Sequence, residues 1–407
     1  MQVKVTPSLV RDLAATHGDA FYILDSDIFL TNYDEMLACF REIYSDSAIA
    51  YSYKTNYTPA LCRVIHARGG FAEVVSEMEY ELAERLGVPP QNIYYNGPYK
   101  KIPFLRKALQ DGANVNLDSL TEVRAALALA CEYATRPFAV GLRCNFDIKT
   151  GTVSRFGIDI TGDEFAEVLD LLRSSSNVPL AGLHCHFPTR SLESFTERAA
   201  GMTELLQKLD TGSLQYVSFG GGYFGKISPD FAAVLGFSPP TSDEYAAVVA
   251  GAMRAAFGEK GPRLIIEPGS ALVADAMSLA ARVISVKTVR GRNIATLAAS
   301  SYNINPSVKG VRRPMNVFPA TSVRREAKLW DIVGYTCIED DILMSGYEGV
   351  LEEGDFVAFH NIGSYSVVFK PPFILPNIPI VNIAGGGCSV VKRAETFDDI
   401  FTTFTEI

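Results

Sequence analysis

The stretch AIAYSYKTN, residues 48–56, decides the fold. Its apolar opening reads as a buried strand. The TPALCRVIHARGG that follows reads as a helix, with Thr58 as its cap and Pro59 in the first turn. Lys54 therefore stands where a strand hands over to a helix. A lysine there has two readings: an ammonium snorkelling out of a strand end, or a reactive amine held in a pocket. The same beat recurs in GFAEVVS (70–76), IYYNG (93–97), ANVNLDS (113–119), FAVGLRCN (138–145), AGLHCHF (181–187), YVSFGGG (216–222) and RLIIEPG (263–269). Stretches of helical spacing, such as EYELAERLG and IPFLRKALQDG, lie between them. Strands alternating with helices predict parallel βα units, and eight such units close a (β/α)8 TIM barrel. A doubly wound open sheet is the alternative.

Each predicted strand ends in polar or glycine residues: Lys54, Ser76, Asn96, Asp118, Arg143 with Asn145, His186, Gly220 to Gly222, and Glu267. In a barrel these ends meet at one face, where active sites are built. Beyond about residue 280 the texture turns to strands and turns, as in GVLEEGDFVAFHNIGSYSVVF. The domains expected are therefore a barrel over 26–280 and a C-terminal β-domain over 281–407. Residues 1–25, with the strand-like AFYILD, join the latter.

Composition narrows the function. Apolar residues make up 48% of the 407, enough for a sizeable core, and the net charge of −9 argues against a general nucleic-acid binder. No run approaches a membrane-spanning length, and the N-terminus lacks a signal peptide's apolar core, so a cytoplasmic protein is expected. The seven cysteines are scattered and form no CxxC pair, which suggests neither a disulfide framework nor a zinc ribbon. His184 and His186 share one face of a regular strand, but no third ligand accompanies them, and no metal is expected.

Three strand ends carry complementary chemistry. SFGGGYFG (218–225) offers backbone N–H groups to a phosphate, or is a close-packing glycine turn. Glu267 ends a very apolar strand and needs a partner, either a salt bridge or a protonated pyridine nitrogen. With Lys54 for a Schiff base, these are the parts that pyridoxal 5'-phosphate requires.

At this point the chain resembles the fold-type III pyridoxal-phosphate decarboxylases, which include ornithine and diaminopimelate decarboxylases. YSYKTN resembles the cofactor-lysine motif. EVVSEMEYELA, GPYKK, NLDSLTE, LRCN and SRFG match successive strand-end motifs, with Arg143, Ser154 and Gly157 in place. GLHCHF, FGGGY and EPG resemble the ring-stacking, phosphate and pyridine-nitrogen segments. The resemblance implies Lys54 and Cys337 as catalytic residues. It implies His186, Ser76, Gly220, Gly221, Gly222, Glu267, Gly269 and Tyr365 (in GSYS) around the cofactor. Cys337, in GYTCIEDD, would cross a homodimer interface to protonate Cα, and the substrate would be a small amino acid.

Departures from the family pattern bear on that substrate. Ser270 stands where arginine usually follows EPG, Thr189 is the hydroxyl candidate in FPT, and Ile338 replaces an acid that reads the substrate's far end, with Glu339 one place on. Arg312, Arg313 and Lys309, in SSYNINPSVKGVRRPMNVF, either bind carboxylates, as Arg313 would in diaminopimelate decarboxylases, or form a solvated basic turn. With Arg143 and Glu339 these arginines are the substrate-binding candidates. The pattern looks most like a siderophore-pathway subgroup that decarboxylates a citrate-linked diamino acid. Decarboxylation of free diaminopimelate, ornithine or lysine, an amino-acid racemase, a non-catalytic regulator and an aldolase-like barrel are the competing readings.

Overall fold

The computed structural model describes residues 3–133, 135–151, 153–307, 311–322 and 324–406. The chain forms two compact units. One comprises Thr31–Phe224 and Pro240–Ala271; the other comprises Met1–Leu30, Gly225–Pro239 and Leu272–Ile407. The sequence reading runs the barrel unbroken over 26–280, whereas Gly225–Pro239 groups with the second unit.

The first unit is a closed parallel barrel. Its strands are β1 (Ser47–Ser52), β2 (Phe71–Val74), β3 (Ile93–Tyr95), β4 (Asn114–Leu117), β5 (Val140–Asn145), β6 (Leu180–His184), β7 (Tyr216–Ser218) and β8 (Arg263–Ile266). Each pairs in parallel with the next. Leu264 of β8 pairs with Ser47 of β1, which closes the ring and excludes the open sheet. The strands are short, nearly continuous apolar runs because helices and a filled interior cover both faces. Tyr216 shows how tightly the interior is filled. A Cβ on Gly182 would fall 2.0 Å from its Cζ, and one on Gly141 would fall 2.3 Å from its hydroxyl. Glycine at both positions makes room for the ring.

Past β1 the chain makes a single 3-10 turn, Tyr53–Thr55, before helix Pro59–Ala67. Lys54 therefore lies just beyond the strand rather than in it. Thr58 precedes that helix but does not cap it with its side chain; its hydroxyl donates to Asn56 Oδ1 at 2.6 Å. Ser76 does cap helix Glu77–Arg85, accepting from the Glu79 N–H.

In the second unit the described strands form a nine-stranded sheet. Its hub is Met277–Val289, which pairs antiparallel with Ala20–Leu24, Phe356–Phe359 and Arg292–Leu297. Ala20–Leu24 is buried along its whole length and also pairs in parallel with Ile380–Asn382. Among the described residues no helix is long and apolar enough to cross a membrane.

Candidate active site

The C-terminal ends of the barrel strands assemble one polar cluster. Lys54 Nζ donates to Glu73 Oε1 at 2.7 Å. Glu73, on β2, is fully buried, and it also accepts from the Ser52 hydroxyl and from Asn96 Nδ2 at 3.0 Å. Asn96 is the first residue past β3, and the same amide nitrogen donates to Glu267 Oε1 at 3.1 Å. Behind it, Asn96 Oδ1 accepts from Asn116 Nδ2 at 2.7 Å, and Asn116 Oδ1 accepts from the Tyr216 hydroxyl at 2.9 Å. One line of hydrogen bonds thus ties Lys54 and Glu267 to the barrel interior. Buried polar groups persist only when so satisfied.

Glu267 accepts further from the Ser218 hydroxyl at 2.8 Å and from His184 Nε2 at 3.2 Å. Burial alone would push its carboxyl up. His184 with its hydrogen bond, Lys54 and the Ser218 hydroxyl outweigh that and hold it below the usual carboxylate range. The site therefore keeps a fixed negative charge deep in the barrel.

The two histidines take different partners. β6 ends at His184, so the two-residue period stops there. His184 is buried against Glu267, while His186 Nδ1 accepts from the Gly221 N–H at 2.9 Å. That bond leaves the ring proton on Nε2. Desolvation first, then the cations Lys54, Arg143 and Arg198, hold His186 well below its ordinary value, so the ring is neutral at pH 7.

The glycine loop is both of the things its sequence offers. It packs closely: a Cβ on Gly220 would lie 2.4 Å from Cys185 O, and one on Gly221 would lie 2.5 Å from Glu267 O. Gly220 and Gly222 have φ of +65° and +98°, backbone that glycine adopts without strain. It also presents donors, since neither Gly222 nor Tyr223 finds an acceptor for its N–H among the described residues. A Cβ on Gly269 would lie 2.0 Å from Thr55 Oγ1, so glycine lets the EPG turn pack on the Lys54 turn. Arg143, on β5, is buried beside Asp118 (3.3 Å) and lies 4.6 Å from the Phe156 ring.

The structure thus brings Lys54, Arg143, His186, Gly220 to Gly222, Glu267 and Gly269 to one face, while the Ser76 hydroxyl caps its helix. Glu73, His184 and Ser218 are site residues that the sequence reading misses. Glu73 left a signal: it is the single acid inside the apolar GFAEVV, one strand over from an unexplained lysine.

The remaining candidates belong to the other unit. Cys337, Ile338 and Glu339 are exposed, and Cys337 is a free thiol. Tyr365 has a φ of +59°, and its ring stacks on Phe369. Arg312, Arg313 and Asp340 line a cavity of about 430 Å³. Arg313 donates to Asn361 O at 2.7 Å, and burial pushes it down to about 10. Arg312 donates to Ser345 O at 3.1 Å. Among the described residues no carboxylate forms an ion pair with either arginine; Lys309 lies outside those residues.

A phosphorylated pyridine aldehyde fits the barrel residues. The lysine has a carboxylate to orient it, the glycine cradle has two unused amides and no room for side chains, and an ionised glutamate waits for a protonated ring nitrogen.

The comparisons agree with that fit. Residues 31–274 match the model of the pyridoxal-dependent decarboxylase family's pyridoxal binding domain. The diaminopimelate decarboxylase of Aquifex aeolicus is 24% identical over 96% of this chain and 93% of its own. That of Methanothermobacter thermautotrophicus is 25% identical over 96% and 92%. Among solved structures, diaminopimelate decarboxylase from M. jannaschii superposes with a TM-score of 0.86 at 22% identity, covering 97% of this chain and 94% of its own. Lysine decarboxylase from Selenomonas ruminantium does so with a TM-score of 0.77 at 21% identity, covering 94% and 97%.

Proposed function

The chain belongs to the pyridoxal-dependent decarboxylases, and from that premise we propose that it removes the α-carboxylate of an amino acid whose far end carries a second carboxylate, diaminopimelate first among them. The observation that carries the choice is the cavity lined by Arg312, Arg313 and Asp340. Two guanidiniums with no carboxylate partner among the described residues suit a substrate carboxylate, and the acid beside them suits an ammonium. The relatives named diaminopimelate decarboxylase over nearly their full length support the same choice.

A second reading, a citrate-linked diamino acid from siderophore synthesis, is favoured by Ile338. It places an apolar side chain where the resemblance implies an acid. Carbon dioxide release from diaminopimelate, ornithine, lysine and a citryl-diaminopropionate conjugate separates the two. Turnover of diaminopimelate supports the first, turnover of the conjugate alone supports the second, and racemisation without carbon dioxide release rejects both.

Bound pyridoxal phosphate supplies a sink for the electron pair left by the departing carboxylate. The chain's residues do the rest. Lys54, oriented by Glu73, would hold the aldehyde carbon. Glu267 would keep a bound ring nitrogen protonated, and the resemblance implies that His186 would stack on the ring. Gly220 to Gly222 would hold the phosphate, and the resemblance implies Tyr365 as a phosphate contact with Ser76 and Gly269 among the cofactor-binding residues. Arg312 and Arg313 in the cavity would take the substrate's far carboxylate, and Arg143 and Glu339 are the further substrate-binding candidates. Cys337, contributed across a two-fold dimer in the cytoplasm, returns a proton to Cα. Lys54→Ala should abolish turnover. Cys337→Ala should slow product release or divert it to oxidised side products, and an unchanged rate and product profile would remove it from the acid role.

A further inference from the structure

Arg198 lies in helix Leu192–Lys208 and is completely buried. Its guanidinium donates to three backbone carbonyls: Gly221 O at 2.8 Å, Phe187 O at 2.9 Å and Thr189 O at 2.6 Å. Its Nε–H has no acceptor among the described residues. Among the described residues no carboxylate forms an ion pair with it, and burial lowers its pKa. The titratable groups around it are neutral. Burial pushes the Cys185 thiol up to about 12, holds the Tyr223 phenol well above its ordinary value, and raises Tyr245 to about 12. The ring of Phe195, 4.0 Å away, offers a π-face but no charge. A buried cation held only by carbonyls and rings is costly, because its full charge is left without a counter-ion.

The place of this charge supplies the missing partner. Two of its carbonyls belong to the segment after His186 and the third to Gly221, so the guanidinium clamps the glycine loop from behind. A Cβ on Gly222 would lie 3.4 Å from Arg198 Nη2. The same loop carries the amides of Gly222 and Tyr223, which have no acceptor among the described residues.

We propose that Arg198 is a positioning residue for the cofactor's phosphate: it sets the glycine loop and supplies, through that loop, the positive charge that the phosphate dianion neutralises. The phosphate in turn is the counter-ion that Arg198 lacks in the apo chain.

The test separates phosphate from ring. Wild type, Arg198→Lys and Arg198→Met are stripped of cofactor, and binding of pyridoxal 5'-phosphate and of unphosphorylated pyridoxal is followed by visible absorbance. Arg198→Met should bind the phosphorylated form at least about tenfold more weakly while its affinity for pyridoxal stays within about threefold of wild type. Arg198→Lys, which keeps charge but not the fork, should recover part of the difference. Inorganic phosphate should raise the melting temperature of the apo wild type and lose that effect in Arg198→Met. Equal weakening of both ligands, or phosphate stabilisation that survives in the methionine variant, would overturn the assignment. If the methionine variant does not fold, the lysine variant decides. A ratio of the two affinities that falls below wild type but stays above one supports the proposal, and a parallel loss of both rejects it.

Discussion

Asn96→Leu removes the link between the two carboxylates of the site while keeping the branching and the number of side-chain heavy atoms. Asn96 donates to Glu73 and to Glu267 at 3.0 and 3.1 Å. Each hydrogen bond to a charged acceptor contributes about 1.5–3 kcal/mol, and the orphaned Asn116 amide costs about 1–3 kcal/mol more. Burying the leucine gives back about 1.5–3 kcal/mol. The net loss expected is about 3–6 kcal/mol. The single tryptophan, Trp330, lies on strand Lys328–Val333 of the other unit, so its fluorescence is the wrong probe. Urea unfolding of the apo protein followed by far-UV circular dichroism reads the barrel helices instead. Asn96→Asp sharpens the test by setting a third carboxyl against the other two. Its folded pKa must then lie above the unfolded value of about 3.9, so its penalty is absent below pH 4 and grows as pH rises. A loss under about 1 kcal/mol in the leucine variant, or a pH-independent penalty in the aspartate variant, would refute the network as a source of stability.

Three further outcomes are expected. Glu267→Gln should leave folding within about 2 kcal/mol of wild type, because the amide keeps one oxygen to accept from the Ser218 hydroxyl and Asn96; kcat should fall about a hundredfold or more, as expected when a preorganised charge is lost from the reacting centre. His360 is buried between the Ser278 hydroxyl and Asn316, and burial lowers its pKa to about 4. The stability it contributes is present above pH 6.5 and is lost as pH falls toward 4, by about 2–3 kcal/mol; Trp330 fluorescence should record that loss, and His360→Gln should flatten it. Glu79 is raised to about 7, by burial first and Glu73 next, with the Val75 N–H opposing. Its contribution is present below pH 4.5 and is lost as pH rises through 7, so Glu79→Gln should be more stable than wild type at pH 8 and not at pH 4; equal curves at both would count against a protonated Glu79.

The barrel was legible because its signal repeats: each βα unit restates the same apolar run, polar end and helix, and β8 meets β1 as the count of eight requires. Lys54, His186, Glu267 and the glycines were legible because they stand at strand ends and because the motifs resemble a known family. Glu73 and His184 were not. Each lies within a strand, where an apolar pattern hides a polar residue whose partner is far away in sequence; His184 and Glu267 are 83 residues apart. The histidine pair was visible but its roles were not, since the partners, Glu267 and Gly221, lie far away in sequence. Arg198 was invisible for the opposite reason. It sits in an ordinary amphipathic helix, and nothing in ERAAGM marks an arginine as buried.

The sheet of the second unit has a consequence for synthesis on the ribosome. Ala20–Leu24 emerges first, but its antiparallel neighbour begins at Met277. At about 5–20 residues per second, the roughly 250 residues between them take on the order of 10–50 s to appear. For that interval five residues destined for full burial, AFYIL, have no partner strand to pair with. The nascent chain therefore carries a sticky β-edge through the whole time its barrel is being made. Slow translation of the segment before Met277, or the absence of a chaperone that shields short apolar strands, should lower the yield of soluble protein without touching the stability of the finished molecule.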